Sequence, residues 1–107
     1  MNTPYVVVMP DFFLDHFLYT RIDLASFNNL LRSIAERGGG NYFFSQELFH
    51  GGNATNTAAV LSKLGVKVYL FTRTSLLGKA LLEYFLPKVD LSLINTDGEL
   101  NITTAIE

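Results

Sequence analysis

The alternation of apolar and polar positions is clearest between residues 49 and 70. Apolar side chains recur there at spacings of three and four, which predicts one face of a helix. They are Ala54, Ala58, Leu61 and Leu64. Gly65 follows, where a helix end favours a residue that tolerates positive φ. Apolar residues alternate with Lys67 and Tyr69 over residues 66–70, and this β-branched and aromatic run predicts a strand. The unit is therefore a glycine turn, a helix and a strand.

The rest of the chain also predicts alternating strands and helices. Residues 5–9 are apolar throughout, as in a strand of a parallel sheet that is buried on both faces. Apolar positions at helical spacing from Phe27 to Ala35 predict a helix that Asp23 or Ser26 caps and the glycines at 38–40 stop. The other predicted elements are strands at 17–21, 42–49, 89–95 and 101–107 and a helix at 79–86. Asp97-Gly98 is a hairpin signal between the last two strands.

Composition indicates one small and unusually apolar domain. The chain has 107 residues, of which 49% are hydrophobic and 17% are charged, whereas about 25% charged is typical. We therefore expect part of the apolar surface to pack on another subunit, on the remainder of a longer chain, or around a long apolar cleft.

Charge and cysteine content exclude several function classes. The net charge is −2 without a basic stripe, so nucleic-acid binding is not indicated. There is no cysteine, hence no disulfide framework and no thiolate metal site. The sequence predicts no signal peptide and no apolar run of membrane-spanning length. A cytoplasmic protein is the expectation.

The glycine pair before the central helix is the best candidate for binding chemistry. Glycines at a helix start let a ligand approach the backbone, and the free N–H groups of the first turn attract an oxygen-rich or anionic ligand. Side chains next to them add donors and acceptors. These are Asn53, Thr55, Asn56 and Thr57. The alternative is ordinary helix capping, for which Asn and Thr are common residues.

The motif Gly51-Gly52-x-Ala54-x-Asn56-x-Ala58, followed by Gly65, resembles the N-terminal signature of the ribokinase-like (PfkB) family of ATP-dependent carbohydrate and nucleoside kinases. The order of elements around the motif is similar too, from about residue 5 to residue 107. The resemblance implies an α/β fold in three α/β/α layers with mostly parallel strands. It also implies a small β lid at about residues 17–50. Residues 1–107 would be the N-terminal, substrate-side part of that domain.

The resemblance implies a set of substrate contacts. The family's substrate-binding aspartate matches Asp15, whose carboxylate would accept hydrogen bonds from sugar hydroxyls; the alternative is a solvated turn residue. Asp11 is expected to be mostly structural. Asn41 would lie in a substrate-edge loop or simply follow a helix stop, and Thr103 would contact substrate or serve only as a β former. The implied contacts are Asp15, Asn41, Gly51, Gly52, Asn56 and Thr103.

The chain departs from the family pattern at several points. Pro10 replaces the usual glycine after the first strand, and Phe13 stands where a polar residue is common. The lid segment carries an extra predicted helix. Residues 72–78 lack the usual glycine-rich turn with its aspartate. These differences suggest a substrate other than ribose.

A phosphate-binding P-loop is rejected, and a Rossmann-type dinucleotide binder, which shares the βαβ pattern, is a less favoured alternative. Gly78-Lys79 lacks the Ser/Thr and the upstream glycine of a phosphate-binding P-loop. The spacing at Gly51-Gly52 is not the G-x-G-x-x-G of a dinucleotide-binding fold.

The family's catalytic motif, Asp-Thr-x-Gly-Ala-Gly-Asp, does not occur in these 107 residues. We therefore expect no catalytic residue and no metal ligand here. ATP and Mg²⁺ are implied for the complete family member and not for this segment, which should be inactive alone. The implied partners are a sugar or nucleoside and a second copy paired through the lid strands. The alternative is a non-catalytic sugar-binding, nucleoside-binding or oligomerisation module that kept the lid and the cleft.

Overall fold

The computed structural model describes residues 4–107 and divides the strands between two small sheets. In chain order the elements are β1 (Tyr5–Val8), β2 (Phe13–Tyr19), α1 (Leu24–Glu36), β3 (Ser45–Gly51), α2 (Asn53–Lys63), β4 (Lys67–Leu70), α3 (Leu76–Phe85) and β5 (Ile102–Ile106). The described part of the chain is therefore an α/β protein with three helices and five strands. No helix among residues 4–107 combines the length and the apolar character needed to cross a bilayer.

The first sheet joins β1 and β4 in parallel and carries the core. Val6 pairs with Val68, and Val8 pairs with Leu70. Helix α2 packs against both strands, because its small alanines allow close approach of the helix to the sheet. The buried core residues are Phe12, Ala54, Ala58, Ala59, Val68, Leu70, Leu82, Leu86 and Val89. This β–α–β arrangement fixes the start of α2 beside the end of β1.

The second sheet has the strand order β3-β2-β5. Strand β2 runs antiparallel to β3, with Phe13 opposite Gly51 and Tyr19 opposite Ser45, and parallel to β5. Helix α1 lies at the far end and buries no residue. The described chain measures 67 × 28 × 18 Å with a radius of gyration of 18.4 Å, whereas a compact chain of this length has about 13 Å. The second sheet and α1 therefore extend away from the core.

Local signals placed several element ends correctly. Asp23 caps α1, and its carboxylate accepts a hydrogen bond from the Ser26 N–H at 2.7 Å. Gly65 follows α2 with φ of +85°, which confirms the predicted helix stop.

The strand predicted at 89–95 is wrong. Only two isolated bridges form there, between Tyr69 and Asp90 and between Arg73 and Asn95. The Asp90 carboxylate accepts a hydrogen bond from the Ser92 N–H at 2.9 Å, which turns the backbone between the bridges. The side chain therefore competes with the strand ladder for this segment.

The hairpin predicted at Asp97-Gly98 is also wrong. The Asp97 N–H donates to Asn95 Oδ1 and the Gly98 N–H donates to the Thr74 carbonyl, each at 2.9 Å. The turn is thereby tied to the loop after β4. Strand β5 then continues to the second sheet and pairs in parallel with β2.

Three element boundaries differ from the sequence prediction. Strand β2 begins at Phe13 and not at 17, so it includes Asp15, and β3 begins at Ser45 and not at 42. Helix α3 begins at Leu76 and not at 79, since the Ser75 hydroxyl caps it by accepting from the Gly78 N–H at 3.0 Å.

Candidate functional site

Asp15 lies at the centre of the second sheet. Its register partners are Phe49 on β3 and Thr103 on β5. Residues directly opposite one another project from the same face of a sheet, with Cβ atoms about 4.5–5.5 Å apart. Asp15 and Thr103 are 88 positions apart in the sequence and are brought side by side. Asp15 is therefore a strand residue, and the turn alternative is wrong.

Gly51 closes one end of this face. A Cβ placed on Gly51 would lie 2.5 Å from Phe13 Cε2 and 2.8 Å from Asp15 Oδ2. The Gly51 backbone is therefore in direct contact with the Asp15 carboxylate, and no side chain fits between them. We call the surface formed by Phe13, Asp15, Phe17, Phe49, Gly51 and Thr103 the Asp15 face.

Aromatic rings flank the half-buried carboxylate. Phe17 and Phe49 meet edge to face with centroids 5.7 Å apart. Within residues 4–107, no side chain or backbone group donates a hydrogen bond to the Asp15 carboxylate. An ionised carboxylate offers about four acceptor positions. The Asp15 face therefore holds acceptors without a partner in the described chain, next to partly exposed apolar surface.

The start of α2 is occupied by the protein itself. Asp11 Oδ2 accepts a hydrogen bond from the Asn53 N–H at 2.9 Å, and Asp11 Oδ1 accepts one from the Ala54 N–H at 2.8 Å. Thr55 is buried, and its hydroxyl donates to the Gly52 carbonyl at 3.0 Å. An internal carboxylate therefore takes two of the first-turn amides that were expected to attract an anionic ligand.

The two backbone donors set the ionisation of Asp11. The hydrogen bonds from Ala54 and Asn53 lower the pKa of the carboxyl below its ordinary value of 3.8, because they stabilise the charged form. This agrees with the structural role expected of Asp11.

We expect Asp11→Ala to lower the free energy of unfolding by about 1 kcal/mol at neutral pH, the usual cost of losing a helix cap. Since the pKa in the folded protein lies below 3.8, the contribution is complete above that value and is lost as pH falls through the folded pKa. Urea unfolding of both proteins at about pH 7 and about pH 2 should show a larger difference at the higher pH. Glu36→Ala, at an exposed carboxylate of α1, is the control. An equal difference at both pH values would contradict the assignment.

The other predicted substrate contacts, Gly52, Asn56 and Asn41, are not part of the Asp15 face. Gly52 has φ of +99°, and a Cβ there would lie 2.6 Å from the Asp11 carbonyl oxygen. Asn56 is exposed on α2. Asn41 is exposed ahead of β3, whose first residue pairs with Tyr19, and Tyr19 lies about 13 Å along β2 from Asp15. The structure thus brings Asp15, Gly51 and Thr103 together and does not place Asn41 with them.

Sequence reasoning missed the role of Thr72. Its side chain is buried, and the hydroxyl donates a hydrogen bond to the Pro10 carbonyl. Thr72 thereby links the end of β4 to the loop that carries Asp11. A polar residue directly after a buried strand indicates that its side chain needs a hydrogen-bond partner. The sequence does not show that this partner is the Pro10 carbonyl, which lies 62 positions away.

A polar cleft of about 440 Å³ borders the same strands. Arg73, Asp97 and Asn101 are among its lining residues. The Asn101 carbonyl accepts a hydrogen bond from the Leu14 N–H at 2.9 Å, so the cleft adjoins the start of β2. The Arg73 Nε lies 2.9 Å from Asp97 Oδ1, and this pair gives the cleft both donors and acceptors.

No protein-family model and no curated protein matches this chain. Among the residues from 4 to 107, no three His, Asp or Glu side chains are grouped as metal ligands, so the part of the chain described here does not fit Mg²⁺ and no step is assigned to it. The chemistry available at the Asp15 face is hydrogen bonding by a carboxylate, a threonine hydroxyl and a glycine backbone.

Proposed function

We propose that this chain forms the substrate-binding part of a ribokinase-like sugar or nucleoside kinase, with the Asp15 face receiving substrate hydroxyl groups. One observation carries the proposal. Asp15, Gly51 and Thr103 come from three separate segments, and the register and packing of the second sheet put them on one face. The family resemblance implies each of the three as a substrate contact. Their convergence supports a shared role.

The proposed face suits a ligand with neighbouring hydroxyls. The Asp15 carboxylate accepts two hydrogen bonds at once, and bonds to a charged acceptor are stronger than bonds between neutral groups. The Thr103 hydroxyl can donate or accept beside it. Phe17 and Phe49 supply apolar contact for the carbon face of a sugar or for a base. The arrangement orients a hydroxyl between the carboxylate and the aromatic rings.

The proposal assigns binding and orientation to these residues, not phosphoryl transfer. In-line transfer needs a base, a phosphoryl donor and a metal ion positioned together. The family's catalytic aspartate motif is not among the 107 residues. ATP and Mg²⁺ would therefore be bound by other residues of the complete protein, in the cytoplasm.

A second copy of the chain is the proposed protein partner. Strands β3 and β5 are the outer strands of the second sheet, and outer strands present backbone groups that can pair with another chain. Leu48 on β3 is about half exposed and projects from the side of the sheet opposite the Asp15 face. A homodimer formed through this sheet would cover it.

The competing proposal is a non-catalytic binding or oligomerisation module. Exposed apolar residues on β1 and in the segment before β3 favour it, with Tyr5 62% and Phe43 86% exposed. The two proposals share the Asp15 face and differ in turnover. Phosphoryl transfer by the complete protein separates them.

Calorimetric titration of the protein with ribose, fructose and adenosine tests the proposed function. We expect saturable binding of at least one of these ligands, and about 10-fold or greater weakening when a contacted hydroxyl is removed, as in 2-deoxyribose or 2′-deoxyadenosine, because the half-buried carboxylate then loses a charge-assisted hydrogen bond. The absence of saturable binding across the panel, or equal binding of the deoxy compounds, overturns the proposal.

A further inference from the structure

A separate cavity of about 200 Å³ lies where β3 meets the ends of α2 and α3. His50 lines it and pairs with Leu14 in the sheet register. Because successive strand residues point to opposite faces, His50 projects from the side of the sheet opposite Phe49 and Asp15. The cavity therefore uses no residue of the Asp15 face, and its role is independent of the proposed function.

One part of the cavity is apolar and aromatic. Phe85, Leu86 and Pro87 line it, and the His50 ring meets the Phe85 ring edge to face at 5.7 Å. An apolar cavity of about 150 Å³ holds a benzene molecule. A cavity of about 200 Å³ therefore has room for one six-membered ring with a small substituent.

The other part of the cavity is positively charged. Lys63 and Lys88 line it, and no carboxylate does. Within residues 4–107 the ion pair found is Arg73–Asp97, so neither lysine is paired there. Helices α2 and α3 both end at the cavity, and the C-terminal end of each helix carries a partial charge of about −0.5. These two partial charges offset half of the positive charge of the two lysine ammonium groups. The balance is about +1, which one monoanion neutralises.

His50 supplies a third polar group. Its Nδ1 is buried and has no hydrogen-bond partner among the described residues. A buried nitrogen of this kind indicates a partner such as water or a ligand. Rotation of the ring and choice of tautomer allow an imidazole to present a donor or an acceptor.

We propose that this cavity binds a compact aromatic monocarboxylate. The ring lies against Phe85 and Pro87, and the carboxylate lies between the Lys63 and Lys88 ammonium groups. The His50 ring donates a hydrogen bond to the carboxylate. The size and apolar lining select a single ring, and the charge balance together with the unpaired imidazole nitrogen selects an anionic, hydrogen-bonding substituent.

Titration of the full chain with benzoate, followed by amide NMR spectra, tests this assignment. Saturable shifts are expected at His50, Lys63 and Lys88, with a dissociation constant of about 1 mM for so small a ligand. Benzyl alcohol keeps the ring without the charge, and acetate keeps the charge without the ring. Each should bind about 10-fold more weakly or worse. The absence of saturable benzoate shifts at these residues, or equal affinity for benzyl alcohol, overturns the proposal.

Matched charge variants test the binding mode. Lys63→Gln and Lys88→Gln are each expected to weaken benzoate binding about fivefold, the scale of a partly exposed ion pair. Both lysines are exposed, so the substitutions should leave the fold intact. Arg32→Gln removes the same charge from exposed helix α1 and should leave affinity unchanged. If the lysine variants behave like Arg32→Gln, the carboxylate is not held by the lysines and the assignment fails.

Discussion

Gly52→Ala is expected to lower the free energy of unfolding by about 3 kcal/mol or more. Gly52 has φ of +99°, and an added Cβ would lie 2.6 Å from the Asp11 carbonyl oxygen and 3.0 Å from the Asp11 carbonyl carbon. The backbone conformation alone costs an L-residue about 1–2 kcal/mol. The clash adds to this because both opposing atoms are backbone atoms, which cannot turn aside as a side chain can.

Gly65→Ala provides the matched control for this prediction. Gly65 has φ of +85° with no atom within 4 Å of an added Cβ, so alanine there meets only the conformational cost of about 1 kcal/mol. Urea unfolding of the two variants should therefore differ by about 2 kcal/mol, which combines the contact with Asp11 and the extended ψ of 143° at Gly52. Equal destabilisation would mean that the Asp11 loop moves freely, which would count against its role as the cap of α2.

The elements that the sequence predicted best depend on neighbouring residues. Asp23 and the Ser26 N–H are three positions apart, and Gly65 directly follows the helix that it ends. Both are local capping signals, and the structure confirms both. Their energies are small, but no tertiary contact opposes them at these positions.

The elements that the sequence did not predict depend on contacts between distant residues. Asp97-Gly98 carries a strong local hairpin signal, yet the Thr74 carbonyl binds the Gly98 N–H and the chain leaves for the second sheet. The carboxylate that caps α2 comes from Asp11, 42 positions before Asn53. Neither partner can be identified from spacing, because loop closure brings these residues together only in the folded chain.

The glycine pair shows how one motif serves the fold and the proposed site together. Sequence reasoning assigned Gly51 and Gly52 to close approach by a ligand. In the structure the space beside Gly51 is filled by Phe13 and Asp15, and the space beside Gly52 is filled by the Asp11 backbone. Packing alone thus requires both glycines, while direct contact with a substrate stays a prediction. Their demonstrated contribution is to place the Asp15 carboxylate next to the start of α2.

In the complete protein, Asp15→Asn is expected to weaken binding of a hydroxylated substrate by about 1–3 kcal/mol, or roughly 5- to 150-fold. The amide keeps the size of the carboxylate but replaces one acceptor by a donor and removes the charge that strengthens the remaining bond. Asp15 is half-buried in the second sheet, so water cannot fully replace the lost contact. Calorimetric titration measures the change directly, and unchanged affinity would return Asp15 to a structural role.

Thr103→Val and its control Thr104→Val test whether the loss of affinity arises on one face of the sheet. Thr103 is opposite Asp15, whereas Thr104 is opposite His16 and its hydroxyl lies 3.2 Å from His16 Nδ1 on the other face. Thr103→Val should weaken binding by about 1 kcal/mol. The loss in the double variant with Asp15→Asn should differ from the sum of the two single losses by at least about 0.5 kcal/mol, because both groups contact one ligand. Thr104→Val should leave affinity unchanged. Equal losses from the two threonines would mean that the sheet as a whole, and not the Asp15 face, supports binding.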